Sequence, residues 1–185
     1  MKKILAIVLC LMMCCAAVCA FATEAETSES STSPISVRTD LSTDNKCPMQ
    51  PTVYGVPRYY NTAANRAYEI DRKKGLSAKT INNETGDKLY GLYLKLTPGG
   101  KDVGYTVKRF DFVVKDSDGR ILYTAGFDSD LTCKNGYSFV WNFFPLEGLY
   151  NNMKQLYGEV IPGIYNMDVY INELWAGNAG IRINP

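Results

Sequence analysis

The feature that most limits what this chain can fold into is a period of two in its apolar residues, repeated in segment after segment beyond Leu76. Tyr90, Leu92, Leu94 and Leu96 alternate with Gly91, Tyr93 and Lys95, and Pro98-Gly99-Gly100 then breaks the run. Residues two apart project to one side of an extended chain, so this spacing predicts strands with one buried face. Val103, Tyr105 and Val107 share one parity and Phe110, Phe112 and Val114 the other. The inward face therefore switches near Lys108 and Arg109, where a bulge or bend is expected. Asp116-Ser117-Asp118-Gly119 reads as a turn. It returns the chain to Ile121, Tyr123, Ala125 and Phe127, and the pattern recurs at Phe139, Trp141 and Phe143 and at Tyr165, Met167, Val169 and Ile171.

Two segments depart from this rhythm. Leu146, Leu149, Tyr150, Met153, Leu156 and Tyr157 follow helical spacing and stop at Gly158, which predicts a short amphipathic helix despite the internal Gly148. Between Thr62 and Gly75, Ala63, Ala64, Ala67 and Tyr68 share a helical face while Tyr68 and Ile70 also alternate; the helical reading is preferred. Short alternating strands joined by turn signals predict an all-β chain in the main: an antiparallel β-sandwich with one or two short helices.

The N-terminus belongs to targeting. Lys2 and Lys3 precede an uncharged run from Ile4 to Ala22 that closes on Ala20-Phe21-Ala22, the small-residue pattern a signal peptidase reads. Residues 1–22 are expected to be a signal peptide with Thr23 as the mature start; an uncleaved anchor is the rival. Residues 23–45, rich in Ser, Thr and Glu, carry too little apolar surface to offset their ordering entropy and are expected to form a disordered tail. Residues 46–185 then form a single domain. The expected location is secreted or in the cell envelope, with no membrane association after cleavage.

Cleavage moves the formal charge from +1 to −1, because two lysines leave and no acid does. That balance offers no electrostatic reason for nucleic acid as a partner. Of six cysteines, only Cys47 and Cys133 lie beyond the signal. An oxidising compartment predicts that they pair. The chain contains no histidine, which removes the commonest nucleophile and zinc arrangements, and no catalytic residue or cofactor is expected. Paired carboxylates from Glu69, Glu84, Glu147, Glu159 and Glu173 would be the one route to a small secreted hydrolase. Asp116, Asp118, Asp128 and Asp130 form two Asp-Ser-Asp units that are a weak calcium candidate, read more simply as turn aspartates. Tyr54, Tyr59 and Tyr60 are clustered aromatics suited to a protein or carbohydrate at the cell surface. Asn83-Glu84-Thr85 is a chance sequon.

The stretch PGIYNMDVYINELWAGNAGIRIN, Pro162 to Asn184, resembles the closing hairpin of immunoglobulin-like domains of bacterial exported proteins, with a Pro-Gly-x-Tyr entry, an alternating strand, a polar tip and a short last strand. The resemblance implies an immunoglobulin-like sandwich and a non-catalytic binding or structural role; a loop-type protease inhibitor is an alternative by the same analogy. Within this hairpin the hydrophobic pattern favours a three-residue tip, Asn172-Glu173-Leu174, which opposes Ile171 to Trp175 and turns Trp175 into the core. A two-residue tip would require a bulge at Gly177 or Gly180.

Overall fold

The alternating segments become strands in the computed structural model, which describes residues 40–83, 86–99, 104–134 and 136–185. In chain order the elements are β1 (Thr52–Asn61), β2 (Arg66–Glu69), β3 (Leu76–Ser77), α1 (Ala78–Asn83), β4 (Lys88–Thr97), β5 (Thr106–Lys115), β6 (Ile121–Thr132), β7 (Phe139–Pro145), α2 (Glu147–Tyr157), β8 (Gly163–Ile171) and β9 (Leu174–Asn184). A four-stranded sheet has the order β2-β1-β4-β7 and a five-stranded sheet the order β3-β9-β8-β5-β6. Neighbours are antiparallel except β3 and β9. The chain is thus an all-β sandwich with two short helices among the described residues. The expected signal peptide and the expected tail as far as residue 39 lie outside those residues, as do Glu84 and Thr85 of the sequon.

The two sheets bury their facing sides. Leu92, Leu94 and Leu96 of β4 join Phe110, Phe112 and Val114 of β5, with Met167, Val169 and Ile181 from β8 and β9 in the same cluster. Phe112 lies 4.6 Å from Phe144, and Phe110 lies 5.0 Å from Phe139, ring centre to ring centre. At Gly55 the sheets approach so closely that a Cβ would sit 3.1 Å from that of Ala179. Burying a large apolar side chain in such an interface contributes about 1.5–3 kcal/mol.

The face switch in β5 is present where the parity changes. Val107 and Phe110 are both buried, and the register with β6 shifts between Val107 and Arg109. The helix α2 also forms as its spacing requires, burying Leu149, Tyr150 and Met153 and ending at Gly158 in the left-handed region with φ 84°. Leu156 and Tyr157 instead stay exposed. Gly148 has a packing reason: a Cβ there would collide with the Tyr123 ring. Asn152 donates to the Leu122 carbonyl at 2.8 Å, so α2 covers one end of the β6 edge.

Several expectations are corrected. Residues 62–75 contain no helix; Thr62–Asn65 is a turn in which the Asn61 side chain accepts from Ala64 N at 2.9 Å and Asn65 adopts φ 48°. Tyr68 then pairs with Tyr59 as β2 returns along β1, so cross-strand pairing overrides the helical spacing of the alanines. A helix appears at α1 instead, where Thr80 N donates to Ser77 Oγ at 3.4 Å. In β7 the register slips opposite Leu92 and Leu94, so Phe139, Trp141 and Phe144 face inward and Phe143 lies on the outer face against Gly91. The segment before β1 is tied to the last hairpin: Asn45 O accepts from Trp175 N, and Cys47 N donates to Trp175 O, both at 2.7 Å.

The last hairpin takes the two-residue tip. Ile171 opposes Leu174 and Tyr170 opposes Trp175, with Asn172 and Glu173 at φ 51° and 68°. The register shifts at Val169 and Tyr170, and Gly177 adopts φ 141°, so a bulge there restores the pairs Val169 with Gly177, Met167 with Ala179, and Tyr165 with Ile181. Trp175 consequently does not enter the core but stands on the outer face of the five-stranded sheet.

Candidate functional site: an aromatic and cationic sheet face

The parity of β1 divides its tyrosines. Gly55 faces the other sheet, so Tyr54, Val56, Arg58 and Tyr60 point outward from the four-stranded sheet. The β1–β4 register sets Val56 opposite Tyr93 and Arg58 opposite Gly91. Tyr54 and Tyr60 therefore share an outer face with Tyr93, Lys95 and Phe143. Tyr59 projects to the opposite side at the end of the sheet, where it stacks on Tyr68 at 5.1 Å between ring centres with Lys88 Nζ 5.6 Å above it.

On the outer face cations and rings interleave. Arg72 Cζ lies 4.5 Å from the centre of Tyr54, Tyr54 meets Tyr93 edge-on at 6.4 Å, and Arg58 Cζ lies 4.6 Å from the centre of Tyr93. The run is therefore Arg72, Tyr54, Tyr93, Arg58. Beyond it Tyr60 and Phe143 form a tilted pair 5.6 Å apart, with Phe143 in the space that Gly91 leaves open. Tyr54 is 44% exposed, whereas Val56, between Tyr54 and Arg58, is buried. Arg72 Nη2 donates to Gly55 O at 2.8 Å and Arg58 Nη1 donates to Asn142 O at 3.2 Å. Those bonds hold the guanidinium groups over the rings, where cation–π attraction contributes about 0.5–1 kcal/mol each. Glu69 lies 4.0 Å from Arg58.

The other sequence-derived candidates do not assemble. Asp116 accepts from Asp118 N and Arg120 N at 3.0 and 2.8 Å and so builds its own turn. Asp128, on the far half of β6, pairs with Arg109 at 2.7 Å. Among the described residues no group of three or more His, Cys, Asp or Glu side chains is placed to hold a metal ion. Glu69, Glu147, Glu159 and Glu173 stand on separate parts of the fold. The structure carries Cys47 and Cys133 as buried thiols rather than as the expected disulfide. Both lie near the Tyr105 hydroxyl, whose pKa burial raises while its bond to Asn172 opposes the shift. Cys133 Sγ sits 3.1 Å from Met49 Sδ.

Sequence reasoning missed the outer face of the five-stranded sheet. Asp168 accepts from Lys115 Nζ at 2.8 Å and from Trp175 Nε1 at 3.1 Å, and Asp111 accepts from Arg109 Nε at 3.0 Å. Burial lowers the Lys115 pKa, but the Asp168 hydrogen bond and charge outweigh it and raise the value. Each buried carboxylate thus has its own cation, the arrangement that keeps a charge tolerable away from water. Trp175 also borders a cleft of about 330 Å³ with Lys46, Gln50 and Pro51, and Lys46 Nζ lies 5.2 Å from its ring centre. The one available signal was the pair of acids at Asp111 and Asp168, each placed in an otherwise apolar strand.

No protein-family model and no curated protein matches this chain.

Proposed function

We propose that the mature chain is a secreted or cell-envelope binding module without catalytic activity, and that its partner lies on the outer face of the four-stranded sheet. The observation that carries this reading is the run Arg72, Tyr54, Tyr93, Arg58 on an open sheet face. Aromatic side chains with polar tips and arginines are the residue types that concentrate binding energy at interfaces. Export is supported by Lys2, Lys3 and the Ala20-Phe21-Ala22 site. The two-sheet architecture agrees with the immunoglobulin-like resemblance of Pro162–Asn184, though that likeness speaks to fold far more than to function. A disulfide between Cys47 and Cys133 belongs to the same reading, since both thiols border Tyr105.

The hydrolase alternative has less support. Glu69, Glu147, Glu159 and Glu173 stand on separate parts of the fold, and the buried acids Asp111 and Asp168, on the outer face of the five-stranded sheet, are each bound to a cation.

The test is retention on isolated envelope material of the producing cell. The exported protein should bind and the double variant Tyr54→Ala/Tyr93→Ala should be washed off, with both showing the same circular dichroism spectrum. Equal retention of the folded variant would remove this face from consideration.

A further inference from the structure

Resting on that binding reading, the composition of the face narrows the class of ligand. A guanidinium over a ring face keeps N–H groups for acceptors. Arg72 commits Nη2 to Gly55 O, and Arg58 commits Nη1 to Asn142 O. Lys95, opposite Tyr54 in the register, adds a third cation, while Glu69 lies 4.0 Å from Arg58. Next along the same parity, the Tyr60 and Phe143 rings carry no cation over them among the described contacts. The face thus presents fixed donors for anions at one end and an apolar platform at the other, over about 20 Å between Tyr54 and Tyr60.

We infer that this face binds an acidic polysaccharide, a chain of uronic-acid type. Its carboxylates accept from Arg72, Arg58 and Lys95 while the C–H face of a neighbouring sugar ring packs on Tyr60 and Phe143. A peptide of acidic residues would satisfy the cations but offers no flat ring for the platform. A neutral glycan would use the platform and leave the cations unmet.

Calorimetric titration of the exported protein with polygalacturonate, with its fully methyl-esterified form and with polyglutamate separates these cases. Binding should be seen with polygalacturonate, should weaken as salt is added, and should fall about tenfold or more in Arg72→Gln and in Phe143→Ala. Arg72 is exposed, so its variant tests the charge without disturbing the core. Equal affinity for the esterified polymer would overturn the role of the cations, and equal affinity for polyglutamate would overturn the sugar. If polygalacturonate fails to bind while envelope retention still depends on Tyr54 and Tyr93, this inference falls and the binding face stands. If retention is also insensitive to those tyrosines, both fall.

Discussion

Asn172, at the tip of the last hairpin, accepts a hydrogen bond from the backbone N–H of Lys108 at 2.7 Å, inside the bulge of β5. Its Oδ1 also takes the Arg109 N–H at 3.2 Å, and its Nδ2 donates to Thr106 O at 2.8 Å and to the Tyr105 hydroxyl at 3.2 Å. A bulge interrupts the ladder and leaves backbone groups to be satisfied elsewhere. One amide from a distant turn supplies those partners, so the bulge and the hairpin tip depend on each other.

Asn172→Gly should therefore destabilise the protein by about 1–3 kcal/mol, since glycine keeps the positive φ but strands the Lys108 and Arg109 N–H groups. Asn172→Ala should cost roughly 1 kcal/mol more, from the left-handed backbone. Urea midpoints of the two variants check this. A glycine variant as stable as the parent would show that water replaces the amide without loss.

A second expectation concerns Cys47 and Cys133. Exported protein alkylated without reductant should carry no label at either residue and should weigh two hydrogens less than after reduction. The bridge should stabilise by about 2–4 kcal/mol, read as the difference in thermal midpoint with and without reductant. Labelling of both thiols in exported material would refute the pairing.

Tyr150 provides a pH test. Its hydroxyl is buried without a hydrogen-bond partner among the described residues, and burial, with a smaller contribution from the nearby Tyr90, pushes its pKa well above 10. In the unfolded chain a tyrosine ionises near pH 10. Above that pH the unfolded state releases a proton that the folded state keeps, so stability falls as pH rises. Tyr150→Phe should be neutral or stabilising by about 1 kcal/mol at pH 7. Above pH 10 its stability should fall less steeply, by up to about 1.4 kcal/mol per pH unit. Urea unfolding between pH 8 and 11 measures both, and parallel slopes would place the burial cost elsewhere.

Legibility in the sequence followed the reach of each interaction. The β5 bulge was readable because Val107 and Phe110 change parity within one strand. The β7 slip was not, because Phe143 and Phe144 are equally apolar and either can be the inward residue. The hairpin register turned on Gly177, whose bulge undoes the parity argument that favoured a three-residue tip. For the candidate site, the tyrosine cluster at Tyr54 and Tyr60 and the outward parity of Tyr93 were visible. Their union with Arg58 and Arg72 was not, since it requires the pairing of β1 with β4 and the placement of a loop residue over a strand.

The position of β9 bears on when the molecule can be assembled. This final strand lies between β8 and β3 in the five-stranded sheet and also receives the bridge from Lys46. Among the described residues Lys46 and β3 have no sheet partner other than β9, although β9 follows them by about a hundred residues or more. Closure is therefore governed by contacts between segments far apart in sequence, the slow kind in folding. Until β9 docks, the five-stranded sheet stays open on that side, and loss of the β8–β9 hairpin would leave the early segments without a place to dock.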